Sequence, residues 1–162
     1  MKIKAGDKLP SSELYYSDQN NDVKKINILD LCKNDKIIII GMPGAFTKTC
    51  STIHLPGFVK NFEEVLKKGV TKIVCIAVND PYVMKAWGEN QKTGTKIFMA
   101  SDPYCRFTKS IGAEVDKSAK GLGMRSNRYT MLVEKGILKK IEEEKETGTC
   151  ELSGAESFLK SI

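Results

Sequence analysis

A chain of 162 residues, 41% hydrophobic and 28% charged, has the length and composition of one globular domain, residues 1–162, with a substantial core. Its apolar runs fall well short of the roughly 20 residues that cross a bilayer, and Met1-Lys2-Ile3-Lys4-Ala5-Gly6-Asp7 has no apolar signal core, so neither membrane anchorage nor secretion is expected. The net charge of +6 comes from scattered lysines, and the tightest basic cluster, Met124 to Arg128, has no interleaved aromatics, so nucleic-acid binding is not expected either.

Five cysteines are present: Cys32, Cys50, Cys75, Cys105 and Cys150. An odd number at wide spacing argues against a structural disulfide framework. There is no C-x-x-C pair, which excludes a zinc ribbon and a dithiol redox motif. The expected compartment is therefore reducing: the cytoplasm, or a mitochondrion or plastid reached through a cleaved targeting peptide.

In chain order, residues 1–30 predict a hairpin-like lead-in, with a turn at Ser17 to Asp22 and a short helical turn near Leu29 to Cys32. Ile37-Ile38-Ile39-Ile40-Gly41 predicts a strand buried on both faces. Leu55, Phe58, Val59, Phe62, Val65 and Leu66 recur at helical spacing, with Pro56-Gly57 expected to break or kink the helix before it ends near Gly69. Ile73 to Val78 is a second buried strand. Asp80-Pro81 supplies an N-cap and an N1 proline for a helix through Val83, Met84 and Trp87. Ile97 to Ala100 predicts a third strand and Phe107 to Ile111 a short helix. Lys135-Gly136 joins Arg128–Glu134 to Ile137–Ile141 as a hairpin. Gly148 falls in a loop, and Ala155 to Leu159 closes the chain as a helix. This alternation implies an α/β fold, a central mixed sheet flanked by helices whose arrangement resembles thioredoxin.

Cys50 stands where the first buried strand gives way to a helix. Unpaired backbone N–H groups and the positive end of the helix dipole favour a thiolate there. Thr47, three residues earlier, brings a hydroxyl within reach of the sulfur or caps the helix. His54, the only histidine, lies four residues after Cys50. A packing or hydrogen-bonding role is favoured over proton transfer, and no further ligands suggest a metal site. Phe46, Phe58 and Leu122 are apolar and serve either as pocket walls or as core. Gly121-x-Gly123 is too short for a dinucleotide loop, and no cofactor is expected.

The stretch Pro43-Gly44-Ala45-Phe46-Thr47-Lys48-Thr49-Cys50-Ser51, continuing through His54-Leu55-Pro56-Gly57-Phe58, resembles the active-site signature of peroxiredoxins, in particular the atypical type II or peroxiredoxin-5-like branch. The resemblance extends to Val78-Asn79-Asp80-Pro81-Tyr82-Val83-Met84-Lys85-Ala86-Trp87 and to Gly121 through Tyr129. One departure is Lys48, where the family usually has proline.

The resemblance implies a thiol peroxidase that reduces hydrogen peroxide and alkyl hydroperoxides and maintains cell redox balance. Cys50 would attack the peroxide and become a sulfenic acid. Thr47 would bond the thiolate and peroxide, Pro43 would shield the sulfur, and Arg128 would fold back to stabilise the thiolate. Arg125 is the weaker basic candidate beside it. For the second half of the cycle three routes stay open: Cys75 as resolving thiol, Cys150 from a flexible loop, or a one-cysteine cycle. Glutathione with glutaredoxin, or thioredoxin, would supply the electrons, and the positive field would draw such anionic partners. A homodimer is implied. The alternative function is a redox relay that passes oxidation from Cys50 to another protein.

Overall fold

The computed structural model describes all residues 1–162. The lead-in is a true hairpin of β1 (Glu13–Ser17) and β2 (Val23–Asn27), paired from Glu13 with Asn27 to Ser17 with Val23. Its turn is fixed by the Asp18 carboxylate, which accepts from the N–H groups of Asn20 and Asp22. Asn27 then caps α1 (Ile28–Cys32) by accepting from the Leu29 N–H.

The β-branched runs form the centre. Strand β3 (Lys36–Gly41) pairs in parallel with β4 (Lys72–Ala77), which pairs in parallel with β5 (Ile97–Ser101). On the other side of β3 lies the antiparallel hairpin β8 (Tyr129–Glu134) and β9 (Ile137–Glu143). Lys135 and Gly136 both hold positive φ, 50° and 78°, as a type I′ turn requires. The seven-stranded order is β2-β1-β5-β4-β3-β8-β9. Short strands β6 (Glu114–Asp116) and β7 (Met124–Ser126) make a separate two-stranded ladder.

Alternation along β3 divides the core between the faces of the sheet. Ile38 and Ile40 join Cys50, Leu55, Phe58, Cys75 and Trp87 on one side. Ile37 and Ile39 join Leu14, Phe107, Tyr129 and Met131 on the other. The first side is covered by α2 (Leu55–Lys60), α3 (Phe62–Lys67), α4 (Pro81–Asn90) and α6 (Ala155–Lys160), all of which contribute to that core. Helix α5 (Arg106–Ser110) contributes Phe107 to the second. Asp80 caps α4 as the sequence indicates, accepting from Tyr82 and Val83.

At the end of β3, Gly41 lies opposite Tyr129, whose ring occupies the space that a Gly41 side chain would need. Replacing Gly41 by alanine should therefore destabilise the fold by about 3 kcal/mol, since both strands are pinned by their ladders and the ring has no room to retreat. Urea denaturation of the variant measures this, and an unchanged midpoint would show that Tyr129 can move.

Candidate active site

After β3 the chain turns sharply through Met42 to Thr47 and enters a helix at Lys48. Residues Cys50–His54 widen into a π-helical turn in which the Leu55 N–H reaches the Cys50 carbonyl, five residues back. Pro56 accounts for the widening. It offers no N–H to the carbonyl four residues before it, and in a regular α-helix its ring would clash there. The expected break at Pro56-Gly57 does not occur, and α2 runs straight through both residues. The interruption falls at Asn61, whose side-chain amide donates to the Gly57 carbonyl and competes with the backbone.

Cys50 is 0% exposed, but hydrocarbon is not its only surrounding. Arg128, itself only 1% exposed and placed one residue before β8 rather than in the strand as the sequence suggests, directs Nη2 to the Cys50 sulfur at 3.3 Å. The same nitrogen donates to the Thr147 carbonyl at 2.8 Å, while Nη1 lies 3.1 Å from His54 Nδ1. A buried cation is tolerable only when paired and hydrogen-bonded. Here its partners are the sulfur, a carbonyl and an imidazole, an arrangement in which negative charge on sulfur is directly compensated. Arg128 Nε has no partner.

His54 is fully buried, and its tautomer follows from its neighbours. A guanidinium can only donate, so Nδ1 is the acceptor and the ring proton sits on Nε2. That Nε2–H faces the Ser153 carbonyl at 3.1 Å, which also receives the Thr130 hydroxyl at 2.7 Å. Burial, followed by the positive charge of Arg128, pushes the His54 pKa down to about 3, so the ring is neutral at physiological pH.

The segment carrying Cys150, expected from sequence to be a flexible loop, is laced to this site. Thr147 meets Arg128, Gly148 accepts from the Thr49 hydroxyl at 3.0 Å, and Ser153 meets His54. Glu144, 3% exposed, holds the loop from inside by accepting from the N–H groups of Leu152 and Ser153 and the hydroxyls of Ser153 and Thr149. Burial alone would raise its pKa, but these donors outweigh it and hold the carboxyl below its ordinary value of 4.5. The sign follows: the contribution to stability is present above pH 4.5 and fades as pH falls through the folded-state value. Glu144→Gln would turn an amide against a ring of donors and should cost about 1–3 kcal/mol, read as a lower thermal midpoint at neutral pH. The difference from the parent should shrink in acid, and a difference that grows there would contradict this account.

Around the entry loop, the sequence-derived residues divide. Pro43 is buried, and its carbonyl accepts from Arg125 Nη1 at 3.3 Å. Arg125 also reaches Asn79 Oδ1 at 3.4 Å and the Leu122 carbonyl at 2.8 Å, so it serves the loop rather than the sulfur. Asn79 accepts from the Ala45 N–H at 2.9 Å and thereby pins the same turn. Thr47 donates its hydroxyl to the Gly44 carbonyl at 2.8 Å, and no hydrogen bond joins it to Cys50 in this state. Phe46 is exposed near Trp87, whereas Phe58 is core. The Trp87 indole N–H donates to the Ser51 hydroxyl at 3.0 Å, tying α4 to the turn that bears Cys50.

All five cysteines are free thiols. Cys75 faces the same core as Cys50, and burial, then the nearness of Cys50, pushes its pKa well above 9. Cys150 is half-buried. Its pKa is raised by burial and partly offset by the Ser153 hydroxyl and the Arg128 charge. Sequence reasoning missed Glu144 and gave Asn79 no role. The first is concealed in the run Glu142-Glu143-Glu144, which looks like a solvated face, and the second has no chemical signature of its own.

A buried cysteine on a strand-to-helix turn, paired with an arginine that immediately precedes a distant strand of a thioredoxin-like sheet, defines a thiol-based redox protein. Comparison with known proteins narrows this. The Redoxin family model matches residues 4–159. Peroxiredoxin-2C of Oryza sativa subsp. japonica is 38% identical over 162 residues, covering 99% of this chain and 98% of that protein. Reduced Prx3 of Vibrio vulnificus in complex with hydrogen peroxide superposes with a TM-score of 0.92 at 36% identity, with 98% of each chain covered. The Plasmodium falciparum antioxidant protein, described as a 1-Cys peroxiredoxin, superposes at 0.90 with 34% identity, covering 99% of this chain and 100% of that one. The chain belongs to the peroxiredoxins, in their type II branch. It is a thiol peroxidase that reduces peroxide with electrons from a thiol reductant. No helix is long and apolar enough to cross a membrane.

Proposed function

We propose that Cys50 is the peroxidatic residue and that Arg128 is its electrostatic partner. The carrying observation is the 3.3 Å approach of Arg128 Nη2 to the Cys50 sulfur inside a water-poor site. In this reading the sulfur attacks one peroxide oxygen, an S–O bond forms and the O–O bond breaks. Water or an alcohol leaves after taking up a proton, and Cys50 becomes a sulfenic acid. Arg128 stabilises charge as it moves from sulfur to the departing oxygen. Pro43, which offers no N–H, limits water at the sulfur, and the Thr47 hydroxyl has free lone pairs and is available to the peroxide once bound.

A second thiol then attacks the sulfenic sulfur, water is released and a disulfide remains. Cys150 has the better disposition for this step, because it is half-buried and its loop already abuts Arg128 and Thr49. Cys75 would need the π-helical turn to unwind, and a one-cysteine cycle would use an external thiol directly. Glutathione with glutaredoxin, or thioredoxin, completes the cycle in a reducing compartment. Exposed Phe46 and Ile53 beside the Cys50 turn support a homodimer through this face. The test is peptide mass spectrometry under non-reducing conditions after one equivalent of hydrogen peroxide in the presence of one equivalent of glutathione. It should find Cys50 oxidised and joined to Cys150, whereas a Cys50–Cys75 bond or a lone Cys50 adduct with glutathione would select another route. Oxidation of a different cysteine first would overturn the assignment of Cys50.

A further inference from the structure

We infer that His54 is a positioning residue, a neutral hydrogen-bond acceptor that fixes the guanidinium of Arg128 against the Cys50 sulfur. The inference rests on the reading of Cys50 and Arg128 given above. Arg128 is held at three points: the sulfur, the Thr147 carbonyl and the imidazole. Of these, the sulfur changes during each turnover and the carbonyl belongs to a loop segment. Of the two anchors that persist through turnover, only the imidazole is rooted in the helical segment that bears Cys50, so it ties the distance between arginine and sulfur to the helix itself.

The imidazole is fixed in turn. With Nε2–H directed at the Ser153 carbonyl, and the Thr130 hydroxyl donating to that same oxygen, the ring has one tautomer and one orientation. Phe58 flanks it at a ring separation of 5.8 Å, and no solvent reaches it. A protonated ring would face the guanidinium as a second cation and would have no lone pair at Nδ1 to offer. Residence in a buried site beside Arg128 keeps that form away and the acceptor available. This role differs from proton transfer. His54 gives nothing to the peroxide and makes no hydrogen bond to the sulfur, and it acts through Arg128.

Two conservative variants separate this role from simple packing. Asparagine puts a carbonyl oxygen near the position of Nδ1, retaining an acceptor for Arg128 while losing the bond to Ser153. Glutamine puts its amide near the position of Nε2, retaining the bond to Ser153 while losing the acceptor. Single-turnover oxidation of the reduced protein by hydrogen peroxide gives the second-order rate constant for each. His54→Gln should be slower by roughly tenfold to a hundredfold, the penalty of a misplaced catalytic group. His54→Asn should stay within about threefold of the parent, even where its thermal midpoint is lower, because the arginine keeps its acceptor. A glutamine variant as fast as the parent, or an asparagine variant as slow as the glutamine one, would overturn the inference. Cys50→Ser run alongside keeps the two ideas separable: full activity there removes the reading of Cys50 itself, whatever the histidine variants do.

Discussion

Cys50→Ser should lower peroxide consumption by at least about a thousandfold, to the background of the remaining thiols. A serine hydroxyl is nearly isosteric with the thiol and accepts a hydrogen bond from Arg128 equally well, so the fold should lose less than about 1 kcal/mol. What disappears is a polarisable sulfur nucleophile that bonds oxygen as the O–O bond breaks. The other buried cysteines do not substitute. Cys32 donates to the Ile28 carbonyl inside α1, Cys75 is sealed within β4, and Cys105 lies buried at the start of α5. Consumption of peroxide with a glutathione- or thioredoxin-based reductant measures the loss. Activity within tenfold of the parent would mean that the chemistry lies elsewhere in the chain.

Arg128→Lys should slow the reaction of reduced enzyme with peroxide by about a hundred- to a thousandfold, the loss associated with one preorganised donor at a developing anion. The substitution keeps the charge but not the fork. Guanidinium nitrogens reach Cys50, Thr147 and His54 at once with fixed mutual angles, whereas one ammonium serves three diverging acceptors poorly. Stability should fall too, by about 1–3 kcal/mol for each buried acceptor left unpaired. Rapid-mixing kinetics on folded variant distinguishes the two effects. A rate within threefold of the parent would show that any buried positive charge suffices and that the geometry described here is incidental. Buried as it is, the pair should also respond little to salt between low and physiological ionic strength.

How much of this was legible beforehand depended on the range over which the physics acts. Ile37–Ile40 and Ile73–Val78 announce themselves, the second running one residue past the observed end of β4, because strands buried on both faces need long apolar runs rich in β-branched residues. Lys135-Gly136 and Asp80-Pro81 are local signals, and each acts as local chemistry dictates. The pairing of β1 with β5 is a tertiary choice with no mark in Glu13–Ser17, and the three-residue strands β6 and β7 are too short for any period to emerge. Pro56 illustrates a subtler limit. Its rule, that a helix cannot pass it unaltered, holds, but the relief comes as a wider turn before it rather than as a break, and the break is set by Asn61. At the site, Cys50 and Arg128 were accessible through the motif resemblance. The lacing of Glu144, Thr149 and Ser153 was not, because a carboxylate within an acidic run gives no hint that it turns inward.

The bond between the Trp87 indole and the Ser51 hydroxyl has a practical consequence. The chain has a single tryptophan, and that bond ends one residue past Cys50. Any rearrangement that unwinds the turn to bring Cys50 to a second thiol must tear the indole from its acceptor and shift Phe46 beside it. A cycle that unwinds the turn thus carries an optical gauge: emission from one fluorophore should change on a stopped-flow timescale as Cys50 is spent and recover as it is renewed, whereas constant emission would mean that the turn stays wound.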